Sequence, residues 1–299
     1  MRERRWEPGG PLDVGLALQP HKRGGGDPTW RRTPDGAVWR TSRSPDGPCT
    51  LRVSVKAGTV HGQAWGPGAG WALETLPALL GADDDLSGFT VRHEVLAEAA
   101  RRHPGGLRIG RTGRVMEALV PAVLEQKVVG QEAWRAWRWL LGRYGEPAPG
   151  PAPEGMRVVP EPEVWRQIPS WHWHRSGAEA VRARTIATAA WHAAKLEAAA
   201  TTQELDRLLR ALPGIGVWTS AEVRQRAFGD PDAVSVGDFH LAKLVGYALT
   251  GEKTDDPGML RLLEPYAGHR HRATVLVWLS GLRPPARGPR MSVRDYRSF

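Results

Sequence analysis

Between residues 50 and 56, apolar Leu51, Val53 and Val55 alternate with Arg52, Ser54 and Lys56, a period of two that predicts a strand with one wet face. Ala57-Gly58 then turns the chain into a second run, residues 59–65, so the pair predicts a β-hairpin. Residues 13–18 and 38–43 read as further strands, separated by Gly24-Gly25-Gly26. From about Leu73 the spacing becomes helical. Ala133, Trp137, Leu140, Leu141 and Tyr144 share one helix face, and Leu205, Leu208, Leu209 and Leu212 share another. The Ala-rich run 178–200 has strong helix propensity and carries Arg182, Arg184 and Lys195. Between these helical stretches, residues 146–162 hold six prolines and must form a loop. The order, strands first and helices after, predicts an α+β chain that is mainly α. No internal repeat is present.

Composition narrows the class. The 299 residues exceed what one core fills comfortably, and with 41% hydrophobic and 24% charged residues the chain is expected to be globular. No run approaches the eighteen apolar residues of a membrane span, and the N-terminus lacks an apolar segment behind its charges, so a soluble, cytoplasmic protein is expected, without a membrane partner. Cys49 is the lone cysteine, which excludes a disulfide framework within the chain and any metal site built on several thiolates. The 41 Lys and Arg against 32 Asp and Glu give +9, a balance that favours polyanionic partners, nucleic acid before membrane. The 14 Trp are far more numerous than Phe or Tyr, and they must supply core or base-stacking surface. The tail, residues 283–299, has five Arg, three Pro and one Asp; it reads either as a segment that tracks a DNA backbone or as a solvated end.

The most informative stretch is Leu212-Pro213-Gly214-Ile215-Gly216-Val217-Trp218-Thr219. An amphipathic helix enters it, two glycines allow a tight reversal, and a second helix leaves it. Bare glycines at the start of that second helix let backbone N–H groups approach an anion, and the helix dipole adds a favourable partial charge. A phosphate of nucleic acid is the natural guest, held without reading sequence.

Together with Asp238, 24 residues after Gly214 in Ser235-Val236-Gly237-Asp238-Phe239-His240-Leu241, this hairpin resembles that of the helix-hairpin-helix DNA glycosylases. Leu124-Glu125-Gln126-Lys127-Val128-Val129-Gly130-Gln131 looks like the family's first core helix and the loop that enters the duplex, and the β-rich start is similar to the extra sheet of the alkylation-repair branch, the bacterial 3-methyladenine DNA glycosylase II type. The resemblance implies a helical core of two lobes with an N-terminal antiparallel sheet. The division expected is 1–82 for the sheet, 113–230 for the hairpin lobe, and 83–112 with 231–299 for the lobe carrying Asp238.

What the resemblance implies for chemistry is specific. Asp238 is the expected catalytic carboxylate. Lyase-active members carry lysine where this chain has Trp218, so a monofunctional glycosylase is expected, with Trp218 facing the extruded base. An alkylated, positively charged purine would stack on that ring. The chain is expected to need no cofactor and no iron–sulfur cluster; a Na+ or K+ ion on the hairpin carbonyls of Leu212 and Ile215 is a family feature. Gly214, Ile215, Gly216 and Thr219 of the hairpin, the loop residues Gln126, Lys127 and Val128, and Arg270 are expected to meet DNA. Lys127 stands where an apolar wedge is usual, and reads either as that wedge or as a solvated lysine. Arg270 would hold a phosphate or orient Asp238, and His269 replaces the aromatic that normally walls the pocket before it. Double-stranded DNA with damaged bases, bound by a monomer and so nucleoid-associated, is the expected partner. Asp230 and Asp232 read as loop acids beside Pro231. Trp171-His172-Trp173-His174 would put two histidines on one face of a strand, for metal or for packing, and Ser176-Gly177 would cap the Ala-rich helix or offer N–H groups to a second phosphate.

Overall fold

The computed structural model describes residues 1–285 and 293–295. The chain opens with β1 (Arg2–Trp6), a short helix α1 (Val14–Leu18), then β2 (Trp30–Arg32), β3 (Val38–Ser44), β4 (Gly47–Lys56) and β5 (Thr59–Trp65), followed by α2 (Ala69–Glu74), α3 (Leu76–Leu79) and α4 (Glu94–Arg102). The five strands form one antiparallel sheet in the order β1-β5-β4-β3-β2. Leu51 and Val53 face the core beneath α2 and α3, while Val55, close to the turn, is exposed. Gly62 lets the helices sit close, because a Cβ there would stand 2.5 Å from Leu76 Cδ2.

A helical body follows: α5 (Val115–Leu124), α6 (Gly130–Tyr144), the two-residue strands β6 (Glu146–Pro147) and β7 (Arg157–Val158), α7 (Pro162–Gln167), α8 (Ser170–Ser176), α9 (Ala180–Trp191), α10 (Ala193–Glu197), α11 (Thr202–Arg210) and α12 (Val217–Ala227). Apart from Glu117, every residue of α5 is buried, and the neighbouring helices pack around it. Glu117 points to the sheet, where its carboxylate accepts from Arg40, Ser42 and the Arg43 N–H. The N–H groups of Val115 and Met116 donate to Glu197 at 2.9 and 3.0 Å, so an acid from α10 closes the start of α5. A third apolar cluster joins α4 to α13 (Leu241–Thr250), α14 (Asp256–Leu263) and α15 (Arg270–Leu279). Arg272, fully buried, bridges to Asp84 with two hydrogen bonds of 2.6 Å and ties α15 to the segment that crosses from the sheet.

Four local expectations are corrected. Residues 13–18 are helical because Asp13 accepts the Leu16 N–H at 3.0 Å, an N-cap that outweighs a short apolar alternation. Trp171-His172-Trp173-His174 lies on α8, where residues two apart point away from each other: Trp173 enters the core while His172 packs against Trp139 and Tyr144. Ser176 caps nothing in α9; its hydroxyl donates to Trp173 O and accepts from Ala178, at the C-terminal end of α8, and Glu179 occupies the cap position instead. The Ala-rich run is two helices broken at His192, not one. The cationic tail falls largely outside the described residues, at 286–292 and 296–299; its residues 293–295 lie on α6, through Arg294 N–H to Glu132 and Arg135 to Arg294 O.

Candidate active site

Between α11 and α12 the chain reverses over Ala211 to Gly216, and Ile215 N–H donates to Leu212 O at 3.2 Å to close the turn. Gly214 takes φ +87°, and a Cβ there would stand 2.2 Å from Thr185 Oγ1 on α9, so this position demands glycine twice over. Gly216 is different. Its backbone is extended (φ −99°, ψ −174°) and a Cβ would meet open space. What its bareness provides is access: α12 starts without a side-chain cap, and among the described residues no protein acceptor takes the N–H of Gly216, Val217 or Trp218. Ile215 and Thr219 are buried, so their side chains do not reach a ligand outside, and only their backbone remains at the corner.

Asp238 stands opposite, on the turn before α13. Its Oδ1 accepts the N–H groups of His240 and Leu241 at 2.8 and 2.9 Å, at the turn into that helix, while Oδ2 accepts Trp218 Nε1–H at 3.2 Å. Trp218 is half-buried against the hairpin core, and the carboxylate itself is half-exposed. The hairpin and the expected catalytic acid are therefore in direct contact.

The loop after α5 locks onto the same corner. Gln126 Nε2 donates to Gly214 O at 2.9 Å and to Thr219 Oγ1 at 2.8 Å, and Arg182, buried on α9, donates to Gln126 O at 2.9 Å. The amide of Gln126 is thus spent inside the protein, holding loop to hairpin. Lys127 forms the exposed apex in a left-handed conformation (φ +54°), and Val128 folds back onto the core.

His269 and Arg270 belong to another network. Arg270 gives its N–H and Nε–H to Asp232 Oδ1 at 3.0 and 2.8 Å and Nη2–H to Oδ2 at 2.5 Å, so the reading in which it orients Asp238 is corrected: its charge is committed to Asp232. Burial pushes the Asp232 carboxyl up, but the Arg270 bonds outweigh it and hold the group below its ordinary range. Asp230 pairs with Arg224 at 2.8 Å. His269 bonds Ser87 O at 3.0 Å and packs against Phe89, with ring centres 5.4 Å apart. Phe239, next to Asp238 and absent from the residues expected at the site, is 65% exposed, with Lys243 Nζ 4.1 Å from its ring centre. Its adjacency to the aspartate was the available signal. Among the described residues no cluster of three or more His, Cys, Asp and Glu could hold a metal ion, and no helix is long and apolar enough to cross a membrane.

The overall architecture matches solved structures of one kind. The 3-methyladenine DNA glycosylase from Archaeoglobus fulgidus superposes with a TM-score of 0.75 over 93% of this chain and 98% of that one, at 17% identity. The 8-oxoguanine glycosylase/lyase from Clostridium acetobutylicum gives 0.68 over 93% and 96%, at 10% identity. The 3-methyladenine DNA glycosylase of Schizosaccharomyces pombe, in complex with abasic DNA, gives 0.51 over 64% and 92%, at 20% identity. The chain has the fold of the helix-hairpin-helix DNA glycosylases. In sequence it is 30% identical over 224 residues to a protein of Mycobacterium tuberculosis named "Probable bifunctional transcriptional activator/DNA repair enzyme AlkA", a match covering 72% of this chain and 41% of that one. The chain thus spans under half the length of the curated relatives it matches. No family model matches the chain.

Proposed function

We propose that the chain is a DNA glycosylase that hydrolyses the N-glycosidic bond of alkylated purines in duplex DNA, acting as a monomer and without strand cleavage. The observation that carries this reading is the contact between hairpin and acid: the Trp218 indole on Asp238 Oδ2, beside a helix start whose N–H groups are open. The open N-terminus of α12 holds a phosphate, and the loop apex at Lys127 fills the stack where the damaged nucleotide leaves. The extruded purine stacks on Trp218 and Phe239, and C1′ comes to lie over Asp238.

As the C1′–N bond breaks, an N3- or N7-alkylated purine departs as a neutral base, and positive charge passes to the sugar. The Asp238 carboxylate stabilises that charge in a site from which the base has excluded water. A water then bonds to C1′, and its proton passes to Asp238 or onward to solvent. With tryptophan at 218, no amine at that position can form the Schiff base that strand cleavage needs.

The test is release of free base from duplexes carrying 3-methyladenine or 7-methylguanine, with deaminated and oxidised purines in the same panel. Alkylpurine release with the strand left intact is expected. Release from the deaminated or oxidised purines alone would move the substrate class. Tight binding with no release from any of them would make the chain a damage-binding protein instead.

A further inference from the structure

The proposed stacking role of Trp218 uses only the face of its indole; the edge is engaged elsewhere. Nε1–H points at Asp238 Oδ2, while both backbone donors of the α13 start converge on Oδ1. The last torsion of an aspartate is broad and roughly two-fold, so two donors on one oxygen fix that oxygen but leave the carboxylate plane free to turn about it. A third donor on the other oxygen, from a different helix, removes that freedom. The donor type also matters. An indole N–H is neutral and donates only, so it holds the oxygen without cancelling the negative charge, as an ammonium group at the same place would.

We infer that Trp218 is a positioning residue whose indole N–H sets the plane of the Asp238 carboxylate toward the sugar, a role separate from stacking on the base. The inference rests on the reading of Asp238 as the catalytic carboxylate.

Two measurements on the full chain test it. Trp218→Phe keeps an aromatic face and deletes the donor, whereas Trp218→Ala deletes both. In single-turnover excision of 7-methylguanine, Trp218→Phe should lower the rate constant about tenfold, as loss of one hydrogen bond to a charged group implies, with affinity for a duplex bearing an abasic-site analogue unchanged within about twofold. Trp218→Ala should lose more of the rate, because the stacking face goes with the donor. In the nitrogen-15 spectrum, the Trp218 indole signal, assigned by its disappearance in Trp218→Phe, should move upfield in Asp238→Asn, where the oxygen stays on the His240 and Leu241 N–H groups and the amide nitrogen that replaces Oδ2 cannot accept. Wild-type rates in Trp218→Phe, or an indole signal indifferent to Asp238→Asn, would overturn the inference. If the wild type releases no base at all, the glycosylase reading fails, and the spectrum still decides whether the indole holds the carboxylate.

Discussion

Two helix starts meet at the candidate site and are finished in opposite ways. Before α13 an acid, Asp238, accepts the N–H groups of His240 and of Leu241, the first residue of the helix. The α12 start has no side-chain cap and keeps its first N–H groups open at an exposed glycine. Among the described helices, side-chain caps of the ordinary kind stand on α1 (Asp13), α11 (Thr201) and α14 (Asp255). An acid at 216 would compete with a phosphate for the α12 donors; the acid at 238 holds the turn into α13 and, through its other oxygen, accepts from Trp218. A single residue decides whether a helix terminus stays open to an anion, as proposed for α12, or has a carboxylate set against it, as before α13.

The largest effect expected comes from the mounted acid. Asp238→Asn retains an oxygen for capping, since asparagine caps about as well as aspartate, so the thermal midpoint should hold while excision falls at least about a hundredfold. A calorimetric scan beside a base-release assay checks both halves, and a midpoint that drops with the rate would make Asp238 structural. Next is the converse change. Gly216→Asp gives α12 the cap it lacks in a backbone that tolerates any residue, so stability should stay level or rise by a few tenths of a kcal/mol. DNA affinity, read by fluorescence anisotropy, should nonetheless fall by about tenfold or more.

The two hairpin glycines separate in the same manner. Gly214→Val forces a β-branched residue to φ +87° against Thr185 and should cost about 2–3 kcal/mol in urea unfolding, whereas Gly216→Val should leave stability alone and weaken binding to every DNA sequence alike. The smallest effect concerns the far end of α12, where Arg226 pairs with Glu222 beside His271. Burial pushes the His271 imidazole down to about 4 against the pull of Glu222, with Arg226 adding to the fall; His21, on the other side of the junction, is lowered by burial and by Arg40, Arg226 and Arg23. A histidine kept neutral in the fold takes up its proton on unfolding. Its contribution is therefore complete above about pH 6.5 and is lost as pH falls toward 4, about 1–2 kcal/mol after solvent screening. The unfolding midpoint should slope down over that window and less steeply in His271→Gln, with His21 supplying the remainder, an outcome readable without DNA.

Much of this is legible in the sequence. The β4–β5 hairpin follows from alternation about Ala57-Gly58, and the turn between α11 and α12 from its glycines, because both depend on residues adjacent in sequence. The failures have a physical pattern. Four residues at 171–174 cannot distinguish a period of two from one of 3.6, and a single capping aspartate decided residues 13–18. Partners distant in sequence were unreadable: Gln126 spends its amide on a hairpin 88 residues away, and Arg270 on Asp232 rather than Asp238, choices set by how the helices pack.

One titration tests the central claim most directly: affinities of the wild type, Asp238→Asn and Gly216→Asp for one duplex containing a stable abasic-site analogue. The account predicts that Asp238→Asn binds as tightly as the wild type or more tightly, having lost a negative charge but no phosphate contact, and that Gly216→Asp binds at least about tenfold more weakly. Unchanged affinity in Gly216→Asp, or a collapse of affinity in Asp238→Asn with its fold intact, would contradict it.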